Sequence, residues 1–495
     1  MKQYKILVLC IVMGLLSVAE VDATIWYVHP DSTLNSIQAG LDSCSIGDTV
    51  LVAPGIYYEH LNWPNTQSIV LTSESGPSTT IIDGDSISYI PVININTGVD
   101  STTIIDGFTI QCGIANMGGG IMCDHSSPTI TNNIITHNGA SGGAGIYCDS
   151  SSAIIIRNTI VNNIGGDCGG GIMCDNHSSV TITDNIISNN HILAFVGGGI
   201  FCRYSSATIT GNVITHNYSY FSGGGIECTS CSVTITDNDI SKNVCDLGCG
   251  GIYCGGGGVS SITITDNTIT YNSGGYSGGI ECATSHPINI INNTISYNTS
   301  ADCGGGIRCN YGSSPTILSN TITNNTALYG SGIYCDNASP LIQMCNISGN
   351  NGDGIYCESG SDPVINYNNI IDNTDYGVRN VDPSIIVDAE YNWWGDPSGP
   401  GGVGPGTGDE VSDWVDYEPW LTDSVDVFPP EVLVIYPNGG ESFVVGDTCD
   451  ITWLATDNVG VDSVSILYST DAGLSWDTIA TGEPNDSLYE WIIPS

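Results

Sequence analysis

The sequence predicts an all-β chain: a right-handed single-stranded parallel β-helix of about 10–12 coils, followed by a partial β-sandwich. Three observations predict it. The phrase Gly-Gly-Gly-Ile-Met-Cys stands at 118–123 and again at 169–174, with variants ending at Cys148, Cys202, Cys228, Cys254, Cys282, Cys309, Cys335 and Cys357. A Thr/Ile-rich run and an Asn-x-Ile-x-x-Asn phrase follow each variant, so that an Asn recurs at 138, 163, 190, 217, 243, 272, 298, 325, 350 and 373, spaced by 23 to 29 residues. An earlier Asn recurs at 133, 158, 185, 212, 238, 267, 293, 320 and 368, with Cys345 in its place once. The period is too short for a propeller blade, and the segments lack helical periodicity.

Each element follows from these repeats. Short strands of one coil pair in parallel with their equivalents above and below, about 4.8 Å away, so ten coils make a rod of about 45–50 Å. The alternation Ile-x-Cys and Thr-Ile-Thr turns Ile and Cys inward and the residues between them outward. Asn suits sharp corners because it tolerates the left-handed backbone, and stacked amides can bond along the rod. The Gly clusters permit close backbone approach and are not phosphate loops, since no helix pattern or Lys follows them. Ten of the 20 Cys form one inward column. Parallel side chains one coil apart are poorly placed to bridge, so that column is expected to be apolar packing. A local Cys245–Cys249 bridge is the one pairing the loops suggest. Cys228-x-x-Cys231 is weak evidence for zinc or redox chemistry, because Cys228 belongs to the packing column.

The ends of the chain differ from its middle. Lys2 and Lys5, the apolar run Ile6 to Val18, and Val21-Asp22-Ala23 have the order of an export signal, with cleavage expected near Ala23. The run is short for a membrane span, and no later segment is apolar enough, so the mature chain is expected outside the cell or at its surface. The expected organisation is a signal peptide over 1–23, an N-terminal cap and first coils over 24–117, repeats over 118–394, a Gly/Pro/Asp-rich linker over 395–429, and an immunoglobulin-like β-sandwich over 430–495. That last module is short for its kind and is expected to be truncated. It includes the strand-like Ile451-Thr452-Trp453 and Val464 to Tyr468, and Ser469 to Trp476 matches the Ser-x-Asp-x-Gly-x-x-Trp hairpin turn.

Charge narrows the function. Of the 495 residues only 7 are Lys or Arg, against 51 Asp or Glu, a net charge of −44. Such a chain cannot neutralise a phosphate backbone, so nucleic acid is excluded, and anionic membranes with it. A monomer is expected, its acidity eased by salt or bound cations.

The repeats resemble the parallel β-helix repeats of the pectin-lyase-like superfamily, including its NosD-like group, over about residues 24–400. Ser36 to Asp42, followed by Gly47 to Tyr57, looks like the start of such folds, where a short helix caps the open end. Asn392-Trp393-Trp394-Gly395 resembles the aromatic closure of the last coil. The superfamily's enzymes match poorly. Asn373-Thr374-Asp375 resembles one polygalacturonase motif, but the paired Asp, Gly-His-Gly and Arg-Ile-Lys elements are absent, as is the Asp-Pro-His of alginate epimerases.

Ligands of this superfamily lie along an outward strand face. The residue between Ile and Cys reads, in order, Met122, Tyr147, Met173, Phe201, Glu227, Tyr253, Glu281, Arg308, Tyr334 and Tyr356. Tyr147, Phe201, Tyr253, Tyr334 and Tyr356 suit sugar rings, and carboxylates accept sugar hydroxyls. Glu227 and Glu281 stand two coils apart, roughly 9.6 Å, the upper edge for an inverting glycosidase pair, with Arg308 beside Glu281. The next column, Asp124, Asp149 and Asp175, offers oxygen ligands for calcium or else forms a solvated acidic stripe. Three functions are therefore open: a non-catalytic module binding a polysaccharide, cell-surface glycan or other partner; a polysaccharide hydrolase or lyase; and a structural spacer.

Overall fold

A computed structural model of the chain describes residues 23–493 apart from 88, 258–260, 427–430, 439–440, 442, 457–460, 462 and 470–475. The expected export signal before Ala23, Pro429-Pro430 and most of the expected Ser469–Trp476 turn lie outside the described residues.

Three long parallel sheets run the length of a solenoid. The first has 16 strands, from Ile25–Val28 to Val415–Asp416; the second has 13, from Gly55–Tyr58 to Asn369–Ile371; the third has 15, beginning at Leu61–Asn62. A coil visits them in that order, as in Thr129–Thr131, Ile134–Thr136 and Ile146–Asp149. Between the second and third sheets eight coils add a short strand, and these build a fourth parallel sheet from Ile114–Met117 to Thr299–Ser300. We call it the crest.

The solenoid is longer than the 10–12 coils expected. Four first-sheet strands precede Thr129–Thr131; the coils they begin lack the Asn corners, and only the last of them, through Cys123, reaches the Cys column. Two more follow: Val387–Asp388 pairs with Val415–Asp416, and the latter comes, with the third-sheet strand Gly408–Val411, from the stretch read as a linker.

Inside and outside fall as the alternation predicts. The Ile and Cys of the third sheet are all fully buried, with Cys123 to Cys357 in unbroken register. Every described cysteine is unbridged, Cys245 and Cys249 included.

The Asn columns do more than turn corners. Asn133 donates its side-chain amide to Asn158 Oδ1 at 3.1 Å and to the Ile105 carbonyl at 2.9 Å, and each later Asn that has an Asn in the next coil repeats the pattern. The left-handed residue is the one before each ladder Asn: Asn132, Arg157, Tyr367 and Tyr391 hold φ of 54°–58°. That corrects the expectation that the ladder Asn itself adopts this conformation. Its amide ties neighbouring coils so firmly that Arg and Tyr are held where Gly or Asn would be easier.

Both ends are closed. The helix Ile37–Asp42 buries Ile37, Gly40 and Leu41 over the first coils, and the Glu59 carboxylate accepts the Ile37 and Gln38 N–H groups at 2.8 and 2.9 Å. Trp394 is fully buried at the other end, as the aromatic closure predicts. From Asp426 onward the chain forms a second compact unit. There Glu431–Tyr436, Thr448–Thr456 and Leu488–Ile492 make one antiparallel sheet, and Val464–Tyr468 pairs with Asp477–Glu483. Ile451, Trp453 and Ala455 are its buried centre.

Candidate functional site

The column expected to face solvent is the outer side of the third sheet, and the register Met122 to Tyr356 is as the repeats imply. It is not open. The crest folds over it and turns it into a second, outer core. Tyr147, Met173 and Phe201 pack with Met117, Met122, Cys168 and Val196. Tyr334 and Tyr356 stack at 5.7 Å and pack with Cys303. Tyr253 is half-buried, and its ring lies against Gly255, where an added Cβ would come within 2.4 Å of it. Burial raises the Tyr147, Tyr253 and Tyr334 phenols, the last also through its hydrogen bond to Glu358.

The carboxylates are covered too. Glu227 is 3% exposed and Glu281 4%, with Tyr253 in register between them. Glu281 accepts from Arg308 Nη1 at 2.8 Å and from Asn310 Nδ2 at 3.1 Å. Burial nevertheless raises its pKa, against the pull of Arg308. Glu227 has no cation beside it. Thr229 donates to its Oε1 at 3.0 Å, and Oε2 has no hydrogen-bond partner among the described residues. Burial pushes it up to about 8, with the Glu281 charge adding to the rise. Gly223, at φ 60°, lets the crest backbone close here, since a Cβ would stand 2.6 Å from Glu227 Oε2.

Asp124, Asp149 and Asp175 stack in register, but each has a partner in the protein. Asp124 pairs with His125, Asp149 accepts from Tyr147 Oη at 3.3 Å, and Asp175 is held by two nitrogens of Arg203. Among the described residues no three His, Cys, Asp or Glu side chains are grouped to hold a metal. The calcium reading of this column therefore gains no geometric support.

What the repeat reading missed is the crest surface. Phe195, Phe221, Leu247, Tyr276 and Tyr329 stand at its turns and are 39–55% exposed. The turns are linked: Phe221 N–H donates to the Phe195 carbonyl at 2.8 Å, and Leu247 N–H to the Tyr220 carbonyl at 3.1 Å. Tyr276 and Tyr329 connect the two layers, the first over Arg308 at 5.2 Å and the second against Tyr356 at 5.4 Å. Asp246 and Asp302 lie among them, and Asp246 accepts from Tyr218 Oη at 2.7 Å. The signal was present in the sequence. A bulky residue stands one or two places before the Gly of several repeats, as in Phe195-Val196-Gly197, Phe221-Ser222-Gly223, Tyr276-Ser277-Gly278 and Tyr329-Gly330.

This is a closed parallel β-solenoid with a laterally appended crest. The model for the right handed beta helix region matches residues 56–228, 198–341 and 250–388, more than half of the chain, and the chain belongs to that family. None of the curated proteins is similar to it in sequence. Among solved structures it is similar to the periplasmic alginate epimerase AlgG, at 12% identity and TM-score 0.39 over 68% of this chain and 81% of that one. It is also similar to the catalytic unit of a thermostable GH87 alpha-1,3-glucanase from Streptomyces thermodiastaticus strain HF3-3, at 13% identity and TM-score 0.36 over 78% and 66% of the two chains. A mannuronic acid specific polysaccharide family 6 lyase from human gut microbiota matches at 12% identity and TM-score 0.31 over 73% and 87%.

Proposed function

We propose that the chain is an extracellular, non-catalytic β-helix that binds an uncharged glycan along its crest. The observation that carries this reading is the exposed row Phe195, Phe221, Leu247, Tyr276 and Tyr329, with Asp246 and Asp302 among them. Aromatic faces and edges take the apolar sides of sugar rings, and carboxylates accept their hydroxyls. The coils of Phe195 and Tyr329 are five steps apart, about 24 Å at 4.8 Å per step, long enough for several sugars of an extended chain. An exposed apolar row of this kind on an acidic surface supports an interaction site. The net charge of −44 repels polyuronates and favours a neutral polymer. The enclosure of Glu227 and Glu281, the carboxyl pair the repeat column offers, supports a non-catalytic role. The extracellular setting is supported by the order of residues over 1–23, which is that expected of an export signal.

The test is affinity electrophoresis of the full chain in gels containing neutral or acidic polysaccharides, with product analysis in parallel. Retardation by a neutral polymer, lost in the Phe221→Ala/Tyr276→Ala/Tyr329→Ala variant, is expected, without release of reducing ends or unsaturated sugars. Retardation only by polyuronates, or product formation, would overturn the proposal.

A further inference from the structure

The outer face of the first sheet carries a second, different surface. In four successive coils its strands read Ser-x-Thr-x-Thr, over Ser179–Thr183, Ser206–Thr210, Ser232–Thr236 and 261–265. The register is unbroken. Thr181, Thr208, Thr234 and Thr263 form one column, and the Thr two places further on in each strand form another. The Ser residues make a third. Beneath them Ile182, Ile209, Ile235 and Ile264 are fully buried, so the outer positions rest on a uniform support.

We propose that this face adsorbs to ice. Its points repeat by about 4.8 Å along the rod and roughly 6.6 Å across it, the strand spacing and twice the rise per residue. The first is close to a repeat of the oxygen lattice on a prism face of ice, and the second is somewhat shorter than the other repeat of that face. Thr is held near few side-chain rotamers by its branched Cβ. An array of methyls and hydroxyls is therefore ordered before any ligand arrives, which lowers the entropic cost of fixing water against it. Among the described residues the hydroxyls of Thr181, Thr208, Thr234 and Thr263 bond to no protein group and are left to solvent. In the outer column Thr236 and Thr265 donate to the corner carboxylates of Asp237 and Asp266 at 3.3 and 3.1 Å, which orients them. No charged residue stands in the three columns of a chain with 51 carboxylates, and ice rejects ions. No aromatic stands there either, which separates this face from the crest and from a crystalline polysaccharide as its occupant. The inference is independent of the glycan reading.

The test is ice growth observed in a nanolitre osmometer with the full chain, alongside binding to microcrystalline cellulose. Faceting of ice and a gap between melting and growth temperatures are expected. Thr208→Tyr/Thr234→Tyr, which breaks the flat array, should lose both, while Thr268→Tyr, on the neighbouring sheet, should keep them. Circular-dichroism melts identify any variant that fails to fold, and Thr208→Val/Thr234→Val, which keeps the shape, then serves in its place. Unshaped ice, equal loss in Thr268→Tyr, or retention on cellulose without shaping would each overturn the proposal.

Discussion

Asn373 donates both its backbone N–H, at 3.1 Å, and its side-chain amide, at 2.8 Å, to one carboxylate oxygen of Asp409. Asp409 thereby takes the place that a further ladder Asn would hold and ends a column that begins at Asn138. Asp409→Ala leaves two donors of Asn373 without their acceptor. A buried donor left unpaired costs about 1–3 kcal/mol. The expected result is earlier loss of the last coils, read by hydrogen exchange at Ile370 and Val378. Asp409→Asn keeps an oxygen in place and should cost less.

A pH effect follows from Glu227. Its pKa is raised to about 8 from an ordinary 4.5, chiefly by burial. The folded state therefore binds the proton more tightly than the unfolded chain. The resulting stability is fully present below about 4.5, falls as pH rises above that, and is gone above about 8. Each tenfold difference in proton affinity is worth about 1.4 kcal/mol, so the loss is several kcal/mol. Urea midpoints at pH 6 and pH 9 should differ for the native chain. Glu227→Gln, uncharged throughout, should hold its midpoint across that range. An equal drop in both would assign the effect to the general acidity of the chain.

Glu281 and Arg308 depend on each other differently. The pair is bonded at 2.8 Å with little exposure of either partner. Arg308→Met strands a buried carboxyl, a change that typically costs about 3–5 kcal/mol. Glu281→Gln/Arg308→Met should recover most of that loss, because no charge is then left unpaired. Thermal melts of the single and double variants decide it. A double variant as unstable as the single one would mean that Arg308 acts through its packing on Tyr276.

These outer-layer effects also mark where the sequence stops being legible. Period-2 alternation tells on which side of a sheet Tyr147 or Glu227 lies, and it told correctly. It does not tell whether another layer covers that side, because the cover comes from segments such as Ile164–Cys168 and His191–Ile192 that share no repeated letters. The number of coils from Ile25–Val28 to Ile104–Asp106 was not legible for a related reason. They are held by Val, Leu and Ile packing without the Asn ladder that phases the rest, and only the last of them reaches the Cys column, at Cys123. The inner core was readable because one residue type recurs at one place in every coil. The crest was not, because only bulk recurs there, as Phe, Leu or Tyr.

The one irregular member of the first Asn column makes the sharpest test of what the ladder contributes. Cys345 stands where Asn would. Its sulfur lies 3.5 Å from the Ile317 carbonyl and 3.2 Å from that of Gln343, the positions that Asn368 Nδ2 serves in the next coil at 2.9 and 3.1 Å. On the other side Asn320 N–H meets only the sulfur, at 3.5 Å, where its neighbours in the column meet an amide oxygen at about the distance of a normal hydrogen bond. A thiol donates and accepts weakly, so this rung is the weakest in the column. Cys345→Asn should restore an amide chain from Asn133 to Asn392, adding about 1 kcal/mol for a made hydrogen bond. The urea midpoint should rise with the slope unchanged. A fall would mean that the corner is shaped to the smaller thiol and that overpacking outweighs the bonds gained.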